Sequence, residues 1–149
     1  MDSDLVVYVA QYSRGVDANR KTLTMHWEIC IQTSEADQRP RGNIYHIKGS
    51  RADYKFEKLV DRHFTTTGNW RGMVKVGTVA KSSLPGIEQL FREVQIHTNN
   101  PDWGCRNWVS NALRKLYARG YGIDPILAQW EGLNHMMDMV LKAWEDGDL

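Results

Sequence analysis

The hydrophobic period of this chain changes once, at Ser82. Before it, apolar residues recur at alternate positions in short runs rich in β-branched side chains; after it they recur at intervals of three and four. Strands come first and helices later, and that order predicts an α+β domain in which an antiparallel sheet packs against helices.

The strand half contains "DLVVYVA" (4–10), "TLTMHWEICIQ" (22–32), "NIYHIKG" (43–49), "YKFEKLV" (54–60) and "GMVKVGTVA" (72–80). The second run alternates cleanly. Met25, Trp27, Ile29 and Ile31 take one face, and His26, Glu28, Cys30 and Gln32 take the other, which is unusually polar for a central strand. "TSEADQRPRG" (33–42) reads as a turn or loop that returns the next strand alongside. In the helical half, "SSLPGIEQLFREV" predicts a short helix with Ser83 as N-cap and Pro85 in the first turn. A second helix after Trp103 aligns Trp108, Val109, Ala112, Leu113 and Leu116 on one stripe and stops at Gly120. "DPILAQWEGLNHMMDMVLKAWE" (124–145) predicts a last long helix, capped by Asp124 with Pro125 at its first position.

At 149 residues the chain fits one domain with one core and one site. Its 19 basic and 18 acidic residues leave a formal net charge of +1, with no block of either sign, which argues against nucleic-acid and membrane-surface partners. The start, "MDSDLVVYVAQYSRG", is acidic where a secretory signal is basic, and no apolar run approaches the ~20 residues of a membrane span, so a cytoplasmic protein without integral membrane association is expected. The two cysteines, Cys30 and Cys105, form no CxxC pair and predict free thiols in a reducing compartment. "GTVAKSS" lacks the spacing of a phosphate-binding loop, which sets nucleotide hydrolysis aside.

Cys105 stands at the mouth of an amphipathic helix, in "WGCRNWVSNALRKLYARG" (103–120). First-turn amides are unpaired and carry partial positive charge, so the position favours a thiolate. Gly104 leaves room for a substrate and offers its N–H to a developing oxyanion, while Asp102, as expected N-cap, sets a negative charge against that shift. A thiol nucleophile needs a base, and His26 projects from the polar face of its strand. Cys30 shares that face two positions on and reads as a core thiol. His63 reads as solvated, His97 as a cleft residue and His135 as a packing residue on the last helix. These histidines have no metal-ligand spacing.

"MHWEICI", then "IYHIKGS", then "GCRNWVSNAL" together resemble the circularly permuted papain-like thiol enzymes: the lecithin:retinol acyltransferase and phospholipase/acyltransferase group within the wider permuted NlpC/P60 superfamily. The resemblance spans roughly residues 24 to 116 and extends to uncharacterised fungal proteins with His-Trp and Cys-x-x-Trp-Val signatures. In that superfamily a strand with a His-Trp pair precedes a second histidine strand, and the nucleophile opens a later helix. Gly104, Arg106 and Asn107 depart from the Asn-Cys-Glu-His pattern of the acyltransferases, and the loop between the histidine strands is longer.

The resemblance implies a single permuted papain-like domain over residues 1–149, with Cys105 as nucleophile, His26 as general base and His46 orienting His26. Glu28 is the second choice for that last role. Both imidazoles are expected to point at the start of the cysteine helix. The implied chemistry is hydrolysis or acyl/amide transfer through a thioester on a small acyl or peptide-like substrate, with no metal or organic cofactor. The rival readings are a non-catalytic binding domain that keeps the fold, and a thiol-dependent isomerase or cyclase.

Overall fold

The computed structural model describes residues 3–36, 39–65 and 67–149. Six strands, β1 (Asp4–Tyr12), β2 (His26–Ala36), β3 (Arg39–Lys48), β4 (Lys55–His63), β5 (Trp70–Ala80) and β6 (Gly122–Ile123), form an antiparallel sheet in the order β4-β3-β2-β1-β5-β6. Three α-helices follow the fifth strand: α1 (Leu84–Glu93), α2 (Cys105–Ala118) and α3 (Trp130–Glu145). The fold is α+β, as the single change of period predicts.

Pairing fixes what lies beside what. In β2 the register sets Tyr12 opposite His26, and between β3 and β4 it sets His46 opposite Glu57. The expected loop at 33–42 is mostly strand, since Glu35 pairs with Pro40 and Ala36 with Arg39. Residues 37–38, inside the stretch expected to turn, lie outside the described residues. Pro40 is tolerated because its carbonyl still accepts a bond from Phe64 N–H at 3.3 Å, and only its missing donor is lost.

One core is expected, and two are found. Trp27, Ile29 and Ile31 join Trp108, Val109, Leu113 and Leu116 between the sheet and α2, burying the predicted helical stripe. On the other face Cys30 packs with Ala10, Tyr12, Ile44 and Phe64 in a second cluster, backed by Trp70 and Met73. The alternation therefore separates two buried faces, and its end nearest His26 opens to a cavity.

The helix starts also differ from expectation. A 3-10 turn (Lys81–Ser83) precedes α1, and the Ser83 side chain makes no capping bond. Asp124 caps only a turn: its carboxylate accepts from Ile126 N–H at 2.8 Å, its carbonyl from Ala128 N–H at 2.9 Å, and α3 begins later, at Trp130. Gly132 lets that helix lie against the Ile126 carbonyl, where any side chain would collide. The end of α2 follows prediction. Gly120 takes φ +83°, Tyr121 N–H bonds Leu116 O and Gly120 N–H bonds Tyr117 O, which closes the helix in a Schellman motif. Among the described residues no helix is long and apolar enough to cross a membrane.

Candidate active site

Cys105 is the first residue of α2 and is 4% exposed. The residue that caps the helix is Gly104, not Asp102, whose backbone N–H is instead turned to the Asn100 side chain. The reason is local: Asn107 folds back so that its Oδ1 accepts from Gly104 N–H at 2.9 Å. Two expectations change with that contact. The acidic cap that would oppose a thiolate is absent, and the Gly104 N–H is not free for an oxyanion. The first-turn N–H groups of Cys105 and Arg106, which have no partner inside the helix, are the remaining candidates.

The sulfur lies against the start of β2. It is 3.8 Å from the Met25 carbonyl, receives the Trp27 backbone N–H, and hydrogen-bonds His26. Arg14, an exposed residue just beyond β1, brings Nη2 to 3.7 Å from the sulfur and 2.8 Å from His26 Nδ1. The other ring nitrogen, His26 Nε2, is 3.0 Å from His46 Nδ1 and 3.2 Å from Glu28 Oε1. His46 Nε2 then donates to Glu57 Oε1 at 2.8 Å, and Lys48 holds the far oxygen of Glu57 at 2.7 Å. The structure thus brings Cys105, His26 and His46 together. It does not aim both rings at the helix, because His46 reaches the sulfur only through His26. Glu28 and His46 share the orienting position, and neither excludes the other.

Electrostatics follow from these contacts. Burial opposes a charge on His26, but hydrogen bonds to Cys105 and Glu28 outweigh it and push the imidazole up to about 9. Burial likewise resists a thiolate at Cys105, and the hydrogen bond and charge of His26, followed by the Trp27 N–H and Arg14, bring the thiol below its ordinary range. Cys30 is the opposite case, a fully buried thiol pushed well up by desolvation. Tyr12, whose hydroxyl donates to the Phe64 carbonyl at 2.8 Å, is also pushed up, by burial first and then by Cys30 and Glu28.

Two cavities meet at Arg14. One, of about 600 Å3, is lined by His26 and Glu28 and walled by Ile44, Leu59 and Phe64. The other, of about 420 Å3, opens onto Cys105 at the start of α2. His63 is not the solvated residue expected: it lines the first cavity, and its buried Nδ1 has no hydrogen-bond partner among the described residues. His97 packs against Trp103 with tilted rings, centroids 5.1 Å apart, and does not line the cysteine cleft. His135 is exposed rather than packed.

One donor set has the chemistry of a cation site, and it includes none of His63, His97 and His135: ligand atoms of His26, Glu28 and His46 lie within 4.8 Å of one another. Two residues of the site escape sequence reasoning. Glu57 has a usable signal, since a hairpin closed at Lys48 and Lys55 sets it opposite His46. Arg14 has none, as nothing in "YSRGVD" separates it from other loop arginines.

Fold and site together define an α+β protein whose cysteine helix abuts a histidine pair on adjacent strands. The chain belongs to a family of unknown function, DUF6914, whose model matches residues 6–141. Neither the curated proteins nor the solved structures contain a match to it.

Proposed function

We propose that the protein is a cysteine-dependent hydrolase or acyl/amide transferase of the circularly permuted papain-like type, acting through a thioester on a small acyl or peptide-like substrate. The observation that carries this reading is the chain of contacts Cys105, His26, His46, Glu57, which runs from the sulfur through two imidazoles to a carboxylate. A structural cysteine needs no such relay. The chain order, two histidine strands before the cysteine helix, supports the permuted arrangement.

In the proposed reaction the Cys105 thiolate attacks the substrate carbonyl, forming an S–C bond as the carbonyl electrons move onto oxygen. The oxyanion faces the free first-turn amides of α2 and Arg14, and donors placed this way contribute roughly 10²–10³ in rate. The tetrahedral centre collapses, and the leaving group departs with a proton from the His26 imidazolium. Water, an amine or an alcohol then gives its proton to His26 and attacks the thioester, which returns Cys105 as thiolate. Both cysteines are free thiols, which suits a reducing compartment, so the proposal carries a cytoplasmic setting with it.

The test is intact mass after incubation with a panel of esters, amides and thioesters. Wild type is expected to gain the mass of an acyl group, and Cys105→Ala is expected to gain none. No adduct, together with a Cys105 that alkylates as slowly as a free thiol at neutral pH, favours a binding domain. Conversion of a compound to an isomer, without adduct or cleavage, favours the isomerase or cyclase.

A further inference from the structure

The cleft that opens onto Cys105 is lined by three arginines, Arg14, Arg51 and Arg106, against one acid, Asp102. The formal charge of the whole chain is only +1, so the positive charge is concentrated at the nucleophile. None of the three guanidiniums has a carboxylate within ion-pairing distance among the described residues. Arg106 is instead laid over aromatic rings, with its guanidinium carbon 5.4 Å from the Trp27 ring and 5.7 Å from the Trp130 ring. That stacking holds a charged fork in place without consuming its charge. Tyr54 and Trp103 form an edge-to-face pair, centroids 6.1 Å apart, that walls the same cleft.

Like charges gathered this way repel one another and cost stability unless something negative visits them. A thiolate at Cys105 answers part of that charge, and Arg14, 3.7 Å from the sulfur, is the arginine that meets it. Arg51 and Arg106 are left over. We propose that they read an anionic group on the acyl donor, so that the substrate class is an acyl compound carrying a carboxylate or phosphate near its reacting carbonyl. The inference rests on the thioester reading for the word "acyl", while the anion site stands on the cleft alone. The planar fork of Arg, with its paired donors, suits either anion.

Iodoacetate and iodoacetamide separate the two claims, because they differ in charge and hardly in shape. Each forms an S–CH2 bond to Cys105 and releases iodide. An isolated thiolate repels the anionic reagent and prefers the neutral one. Here iodoacetate is expected to win, with saturation, and Arg51→Gln or Arg106→Gln is expected to lower the iodoacetate-to-iodoacetamide ratio by about fivefold each, as does added salt. Reading the ratio within each variant cancels any change in thiol reactivity. Protection of Cys105 by glutarate assigns the site to a carboxylate, and protection by inorganic phosphate assigns it to a phosphate. A ratio no higher than that of a free thiol, and unmoved in both variants, overturns the anion site even when iodoacetamide reacts fast. The absolute rate with iodoacetamide, by contrast, judges the thiol reading, so each idea can fail without the other.

Discussion

His26 Nε2 stands 3.0 Å from His46 Nδ1, and a single hydrogen serves that contact. Glu57 decides which ring owns it. Its carboxyl is held below the ordinary range by Lys48 and then by His46, so it accepts, and His46 Nε2 must carry the hydrogen that reaches it. In a neutral His46 ring Nδ1 is then the lone pair, His26 Nε2 is the donor, and His26 Nδ1 is the nitrogen left to face the thiol. Arg14 Nη2, 2.8 Å from that nitrogen, fits the neutral ring. When Nδ1 takes the thiol proton, Arg14 has to turn to the sulfur it already reaches. Glu57→Ala removes the group that fixes this order and is expected to lower kcat by about 10- to 100-fold with little change in KM. Glu57→Gln, whose amide oxygen still accepts, is expected to lose less. Steady-state kinetics of the two variants check the ranking.

Glu28 and His46 both accept from His26 Nε2, at 3.2 and 3.0 Å, so each can cover for the other. His46→Asn keeps an acceptor and is expected to be milder than His46→Ala. Combining His46→Ala with Glu28→Ala is expected to cost more than the two single losses together, because only the double variant leaves His26 Nε2 without an acceptor. A double-mutant cycle on kcat/KM measures that coupling, and strict additivity removes the shared role.

The two cysteines are expected to separate function from stability. Cys105→Ala is expected to abolish turnover and leave the fold intact, with a modest drop in the thermal unfolding midpoint because the residue is 4% exposed at the edge of the main core. Cys30 is wholly buried among Tyr12, Ile44 and Phe64, so Cys30→Ala is expected to cost about a kcal/mol or more of stability while activity persists. Equal loss of activity in both variants points to a dithiol mechanism instead.

How far the sequence carries this site depends on how local each signal is. Alternation in 22–32 separates Trp27, Ile29 and Ile31 from His26, Glu28 and Cys30, because pleating alone determines it. What covers the second face is a different matter. Phe64, Trp70 and Met73 reach it from beyond β4, and no period in β2 reports their arrival. The helix position of Cys105 is legible from its stripe of apolar residues, but its cap is settled by competition, and the Asn107 side chain takes the N–H of Gly104 where Asp102 looked the better choice. Likewise Asp124 and Pro125 carry the signature of a helix start, and the chain spends it on one turn before Trp130. The histidine pair was accessible through motif order. Arg14 was not, because a flexible side chain on a loop owes its place to the two groups it bridges.

The donor cluster of His26, Glu28 and His46 gives zinc a place to bind, and binding there would take the lone pair that His26 Nε2–H needs on His46. Added Zn2+ is expected to slow turnover, with reversal by chelator, while chelator alone leaves the activity of the purified protein unchanged. Loss of activity on chelation, restored by a divalent metal, turns the assignment toward metal-assisted chemistry.

The pH dependence joins the two shifted groups in one curve. The nucleophile is the thiolate, so turnover should rise as pH climbs through the Cys105 pKa, which lies below the ordinary ~8.5 of a free thiol. The leaving group needs the imidazolium, so turnover should fall as pH climbs through about 9, where His26 gives up its proton. A bell results, with both limbs belonging to the pair rather than to either residue alone. His26 is the principal group lowering Cys105, so His26→Ala should move the inflection of Cys105 alkylation upward and abolish the falling limb of any residual turnover. Arg14→Gln should move the same inflection in the same direction by less, because Arg14 stands last among the groups that lower the thiol. The measurement is the alkylation rate of Cys105 between about pH 5 and 10 in wild type and both variants, beside kcat over the same range. A wild-type thiol that reacts only above about pH 8.5, on a curve His26→Ala leaves unmoved, reduces Cys105 to an ordinary cysteine.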